Sequence, residues 1–544
     1  MTILVTLLVY FALLMAVSRL TSRRADNDTF YRGNRRSPWY MVAFGMVGAS
    51  ISGVTFVSVP GMVMHTGMTY IQTCLGFILG YFAVAFLLLP VYYRLNLTTI
   101  YSFLQQRLGS EAHRTGASFF LLSKMTGAAV RFYVVCLILH RFVVEPVVLG
   151  RCDTATDSTL GTTGALGAAG ALGGAGAFGA AGTLGGMASF GLTVALMVVL
   201  IWLYTRRGGI KTLVWTDTLQ TACMFTALIL IIYKVVGMLD MSMGEALTAV
   251  FQDDHSRMFV FDDWVSKQNF WKQFVSGIFI VIVMTGLDQD MMQKNLTCKT
   301  LRDAQKDMCT YGFAFVPANL LFMILGVLLV MLASKQGIGL PANSDELLPM
   351  FAATGRLGQA VVVFFTVGIV AASFSSADSA LTAMTTTWCV DIAGRPNDER
   401  LRRRVHVMMA LVFAIIILMV KALNSTSVID AIYILCSYTY GPLLGLFAYS
   451  LTPNPSPKGE GRKMSTGSSP SKVSTPLSLR GGVGGEAFGG EAFGGEASVC
   501  ILSPLLCYAL NLLVSKTTGY QFGYELLMLN GLLTFVGLWV VKKY

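Results

Sequence analysis

Thirteen runs of roughly twenty apolar residues decide most of what this chain can fold into. A bilayer core about 30 Å thick asks for some 20 apolar residues per helix. The runs fall at residues 1–19, 40–64, 69–93, 118–146, 187–205, 213–236, 270–287, 308–334, 357–387, 406–423, 428–450, 499–514 and 524–541. Backbone polar groups inside hydrocarbon must be satisfied within the segment itself, so such runs become helices. Only 13% of the residues are charged, against about 25% in a soluble domain. The expected fold class is an all-α integral membrane protein with thirteen transmembrane helices and the lipid bilayer as its solvent. The first run lacks the basic start of a signal peptide and is followed by SRLTSRR, which marks it as a span.

The net charge of +11 does not point to nucleic acid, because the lysines and arginines cluster in short loops between the runs. Such clusters set topology. The basic loops are SRLTSRRADNDTFYRGNRRSPWY, YYRLNL with QQRLGSEAHR, YTRRGGIK, QKNLTCKTLRDAQK and GRPNDERLRRR; the intervening ones, such as KQGIGLPANSDELL, are acidic or neutral. The expected location is the inner (plasma) membrane, with the amino terminus outside and the KKY end inside. Residues 152–186 are Gly/Ala-rich and read as an outside loop; counting them as a span would place YTRRGGIK outside. Residues 452–497 are rich in Pro, Gly and Ser and too poor in large apolar residues to pack, which suggests a flexible cytoplasmic insertion.

Of ten cysteines, six (Cys74, Cys136, Cys223, Cys309, Cys436 and Cys507) fall in or beside apolar runs without metal-ligand spacing, as buried thiols do. His65, His113, His140, His255 and His406 lie at span ends or in loops, with no Ser/His/Asp set around them. Neither an enzyme nor a resident cofactor is expected.

What the bilayer should not tolerate is then informative, since an ionisable group near its centre costs on the order of 2.5–3.5 kcal/mol. The stretch AASFSSADSALTAM, residues 371–384, places Ser375, Ser376, Asp378 and Ser379 near midplane. Arg131 lies roughly 20 Å in from the cytoplasmic end of its span. Lys124, two turns in, is expected to snorkel to the interface. Asp217, in RRGGIKTLVWTDTLQ, reads by position alone either as an interfacial carboxylate or as a buried site. FGMVGASISGVTFVSVPG, residues 44–61, combines Ser50, Ser52 and Thr55 with glycines and a proline that weaken a continuous helix. A helix broken at membrane depth leaves carbonyls for a cation, water or solute to satisfy. Hydroxyls, carbonyls and carboxylates at similar depth are hard oxygen donors that suit sodium better than zinc or iron. The plain alternative for the serines is helix packing.

On GASISGVTF, GGIKTLVWTDTLQ and AASFSSADSAL followed by VDI, the chain resembles the sodium:solute symporter family. The resemblance implies the LeuT-type fold: a 5+5 inverted repeat over residues 40–236 and 270–450, a leading helix within 1–39, an outside loop at 237–269, an insertion at 451–498 and two trailing helices in 499–544. It implies a main sodium site at Gly48, Ile51, Ala372, Ser375 and Ser376, and a second sodium or coupling site at Asp217, Ser375, Asp378 and Ser379, with Asp378 a sodium ligand or a proton carrier. By similarity to the sialic acid branch, Ser50, Ser52, Thr55 and Arg131 would touch solute, with Gln72 contributing from the next helix. A buried guanidinium suits a carboxylate; its alternative is a salt bridge to an internal acid.

The expected function is sodium-coupled symport of a small polar organic solute, with carboxylate-bearing solutes among the candidates, into the cytoplasm by alternating access, with the protein working as a monomer. The alternatives are a symporter-like membrane sensor and a non-coupled sodium or solute channel. The chain, ending in Lys542, Lys543 and Tyr544, is expected to carry no signalling module.

Overall fold

A computed structural model describes residues 2–22, 26–140, 177–423, 428–452, 495–518, 520 and 522–543. We label the principal helices α1 (Thr2–Thr21), α2 (Trp39–Ser50), α3 (Gly53–Thr66), α4 (Tyr70–Ala83), α5 (Ser110–Leu139), α6 (Ala177–Gly208), α7 (Ile210–Met238), α8 (Phe270–Val281), α9 (Gln289–Asn295), α10 (Leu301–Lys335), α11 (Gln359–Thr387), α12 (Glu399–Leu423), α13 (Val428–Ser450), α14 (Gly495–Thr518) and α15 (Leu526–Lys543). Eight helices among the described residues are long and apolar enough to cross a membrane, or ten when α2/α3 and α8/α9 each count as one bent span. Residues 152–176 and 453–494 of the two low-complexity tracts lie outside the described residues, as do 141–146 of the fourth apolar run.

Several boundaries depart from the apolar runs. Helices α5, α10 and α12 begin at Ser110, Leu301 and Glu399, seven or eight residues before their runs. Hydropathy registers only the part of a helix that suits hydrocarbon, whereas the hydrogen-bond ladder continues through polar turns beyond it. Helix α6 begins at Ala177, so the last ten residues of the Gly/Ala tract are helical and not loop. Residues 289–295, which lie between two apolar runs and whose last three open the basic stretch QKNLTCKTLRDAQK, form the short helix α9.

Helix α7 packs along both α2 and α11, α8 runs along α4, and α13 contacts α5 and α15. Helix α11 is the most enclosed of the long helices: from Gly368 to Thr387 every residue is buried. Protein surrounds it on all sides, which is why its serines and Asp378 are tolerated at this depth; they face neighbouring helices and not lipid.

Both bent spans break where the sequence cannot maintain the helix. Ile51 and Ser52 separate α2 from α3 with a 60° bend, between the polar Ser50 and Gly53. A π-helical turn over Ile282–Gly286 ends α8, and Leu287 and Asp288 then turn the chain by 70° into α9.

Candidate functional site

At the α2/α3 break the Ile51 N–H reaches the Val47 carbonyl at 3.0 Å, the Ser52 N–H reaches that of Ser50 at 3.0 Å, and the Phe56 N–H that of Ser52 at 3.1 Å. Among the described residues no backbone N–H reaches the carbonyls of Gly48 or Ile51. Buried carbonyls are normally paired, so these are acceptors in search of a cation or donor. The break is pressed between two neighbours. A Cβ on Gly48 would stand 1.8 Å from Thr221 Oγ1 of α7, and one on Gly53 would stand 1.9 Å from Ser373 Oγ of α11. Glycine at both positions is what lets the broken backbone approach α7 and α11 so closely.

Helix α11 meets the break through Ser376. Its hydroxyl donates to the Ala49 carbonyl at 2.9 Å and lies 3.4 Å from the Ala372 carbonyl one turn back. The structure therefore brings the Gly48–Ile51 backbone and the Ala372–Ser376 turn together. The neighbouring Ser375 Oγ points to α7, donating to Asp217 Oδ1 at 2.7 Å. Ser379 Oγ donates to the Ser375 carbonyl at 2.7 Å and reaches Asp378 Oδ1 at 3.3 Å, while Tyr204 donates to Asp378 Oδ2 at 2.6 Å. Asp217 and Asp378 are both fully enclosed, which settles the positional ambiguity of Asp217 against an interfacial carboxylate.

A charged side chain that the sequence reading missed sits at the same place. Lys294 Nζ lies 2.8 Å from Asp217 Oδ2, both side chains at most 2% exposed. The contact is an ion pair by distance, without the alignment of a hydrogen bond, so neither atom has an aligned hydrogen-bond partner.

Ser50, Ser52, Thr55 and Arg131 line one cavity beside the break, together with Lys124 and Asp288. Ser50 Oγ is hydrogen-bonded to the Tyr311 hydroxyl. Arg131 makes no ion pair or hydrogen bond among the described residues, so its salt bridge to an internal acid is not present. Gln72 is not among the cavity-lining residues: its amide donates to Gln268 O at 2.9 Å and Gln273 Oε1 at 3.2 Å and accepts from the Val260 N–H at 3.0 Å. It fastens the 253–269 segment to α4.

Lys124 corrects the snorkelling expectation. It is buried and reaches Asp288 Oδ2 at 3.1 Å and Asp290 Oδ2 at 2.7 Å. Two carboxylates at the α8/α9 break hold it inside, where an ammonium facing the interface would leave both unpaired. Asp288 also accepts from the Asp290 N–H at 2.8 Å, capping α9, and from the Tyr440 hydroxyl at 2.6 Å. Two of the carbonyls exposed by this break are met by tyrosine hydroxyls: Tyr92 donates to Gly286 O at 3.0 Å and Tyr101 to Leu287 O at 2.9 Å. One signal for this cluster was available in the sequence, the DQD triplet, acidic residues heading a loop otherwise read as basic.

The donor set around Ser375 and Ser376 consists of hydroxyl, carbonyl and carboxylate oxygens, which suits a hard monovalent cation. Among the described residues no group of three or more His, Cys, Asp or Glu side chains is gathered for a metal.

Several known proteins are similar to this chain in sequence and fold. The sialic acid symporters SiaT of Proteus mirabilis and NanT of Aliivibrio fischeri are both 22% identical, over 80% and 81% of this chain and 82% and 81% of their own lengths. The human sodium/iodide cotransporter is 24% identical over 51% of the chain, which spans 36% of that relative. In three dimensions the chain superposes on a substrate-bound, outward-open Na+-coupled sialic acid symporter with a TM-score of 0.72 at 16% identity, covering 100% of this chain and 98% of that one. The likeness in fold extends to a nucleobase-cation-symport-1 transporter, with a TM-score of 0.51. The sequence profile of the Sodium:solute symporter family matches residues 30–138 and 165–452. With the profile covering most of its length and its broken helix meeting α11 at Ser376, the chain belongs to the sodium:solute symporter family, membrane transporters and not enzymes.

Proposed function

We propose that this protein carries a small anionic organic solute into the cytoplasm together with sodium, by alternating access. The observation that carries the reading is the meeting of the unpaired Gly48 and Ile51 carbonyls with Ala372, Ser375 and Ser376 directly beside a cavity into which Arg131 is free to bind. Sodium at that junction would join α2/α3 to α11 and complete the wall formed by Ser50, Ser52 and Thr55. Loss of sodium to the cytoplasm would release it. Because each partner stabilises the state that the other prefers, the coupling is reciprocal.

Arg131 supports an anionic solute. An unpaired guanidinium in a cavity receives a carboxylate bidentately. The thirteen spans, the inverted repeat, the outside amino terminus and the monomer belong to the same proposal. The two bent spans support the repeat, since they stand at the heads of residues 40–236 and 270–450.

The test is uptake into proteoliposomes of two labelled anions, sialic acid and iodide, under an inward sodium gradient and under an equal potassium gradient. Saturable uptake of the carboxylate in sodium alone, lost in Arg131→Ala, is expected. Equal uptake in potassium would contradict sodium coupling. Preference for iodide, or carboxylate uptake undiminished in Arg131→Ala, would return Arg131 to a structural role.

A further inference from the structure

We propose that the Lys294 ammonium is a tethered cation standing where a second sodium ion would bind, so that the protein binds a single sodium ion. The proposal rests on the sodium reading above and fixes its ion count.

The second cation position expected from the sequence differs from the first in being built on carboxylates, which attract any cation that comes within reach. Asp217 and Asp378 are the carboxylates that the structure brings to Ser375 and Ser379. Asp217 already has both oxygens engaged: Oδ1 accepts from Ser375 at 2.7 Å and Oδ2 faces Lys294 Nζ at 2.8 Å. Asp378 Oδ2 accepts from Tyr204 at 2.6 Å. A sodium ion on Asp217 would have to occupy the space of the ammonium, at a separation where two unit charges repel strongly in a low-dielectric site.

Lys294 has no easy way out. It sits on α9, whose seven residues are all buried, and the α8/α9 break that aims this helix inward is fixed by Asp288, Tyr92 and Tyr101. The other acid of that half-helix, Asp290, is held by Lys124 at 2.7 Å. The ammonium is therefore committed to Asp217 by the fold, and being covalent it is not released to either side. The second cation position is filled permanently, whereas the carbonyl and hydroxyl oxygens of Gly48, Ile51, Ala372 and Ser376 include no charged side chain of the protein and remain for sodium.

The experiment needs no identified solute. Binding of sodium-22 to the purified full-length protein is measured with choline holding ionic strength constant. One equivalent per chain, with a Hill coefficient near 1, is expected for the wild type. Lys294→Ala frees Asp217 and should raise the count to two. The double variant Asp217→Asn/Lys294→Gln removes both charges while keeping the side-chain shapes, which protects against loss of folding; it should bind one equivalent, like the wild type. Two equivalents in the wild type, an unchanged count in folded Lys294→Ala, or two in the double variant would overturn the proposal. No sodium binding at all would instead sink the sodium reading on which it stands.

Discussion

The two broken helices of this protein face the same problem and resolve it differently. At the α8/α9 break side chains of the protein answer the turning backbone, Tyr92 and Tyr101 the Gly286 and Leu287 carbonyls and Asp288 the Asp290 N–H, while Lys124 pairs with the Asp288 and Asp290 carboxylates. At the α2/α3 break the carbonyls of Gly48 and Ile51 are left open, and the Ser376 hydroxyl that reaches this backbone is given to Ala49. A break that the protein satisfies is architecture, because it holds its bend in any salt solution. A break left unsatisfied is a binding site, because its free energy depends on what arrives from solution.

That contrast can be tested from its largest expected effect to its smallest. Lys124→Ala strips the cation from two buried carboxylates, and removing one partner of a buried pair costs about 3–5 kcal/mol. The expected result is a large drop in thermal stability, equal in sodium and in potassium. A drop that sodium repairs would mean that the α8/α9 break is also an ion site.

Ser376→Ala acts on the open break. A hydrogen-bonding or ligating oxygen to a charged group is worth about 1.5–3 kcal/mol, so half-saturating sodium should rise by one to two orders of magnitude while stability in potassium changes little. Unchanged sodium dependence would remove Ser376 from the site.

Gly48→Ala drives a methyl group to 1.8 Å from the Thr221 hydroxyl. Overpacking of this kind typically costs about 1–3 kcal/mol, and here it should separate α2 from α7 and weaken sodium-dependent stabilisation. Gly48→Ala with wild-type sodium binding would show that the close approach is dispensable.

Tyr101→Phe deletes one donor to the Leu287 carbonyl at the satisfied break. The expected loss is about 1 kcal/mol of stability in either cation, with half-saturating sodium unchanged. A shift in sodium dependence would blur the distinction between the breaks.

How much of this was legible in the sequence follows from what a sequence records. Long apolar runs and the Gly/Ser composition of residues 44–61 are local properties, so the all-helical membrane fold and the α2/α3 break could be read directly. The buried serines of α11 and Asp217 could be read as candidates because polar groups at depth are costly wherever they stand. Lys294, Asp288 and Asp290 could not be read the same way. They follow an apolar run instead of interrupting it, and a short charged segment looks like a loop until tertiary packing folds it back as a buried half-helix. Lys124 illustrates the same point, since depth alone suggests an escape to the interface and only Asp288 and Asp290, some 165 residues away in the chain, keep it inside. Gln72 lies in the expected helix, yet its amide is taken by Gln268, Gln273 and Val260, partners that helical spacing does not reveal.

The most direct test of the open break is a thermal melt of the purified protein titrated with sodium chloride at constant ionic strength, potassium chloride making up the balance. The account predicts a midpoint that climbs with the logarithm of sodium concentration in the wild type and stays nearly flat in Ser376→Ala. A wild-type midpoint that is the same in sodium and in potassium would contradict it.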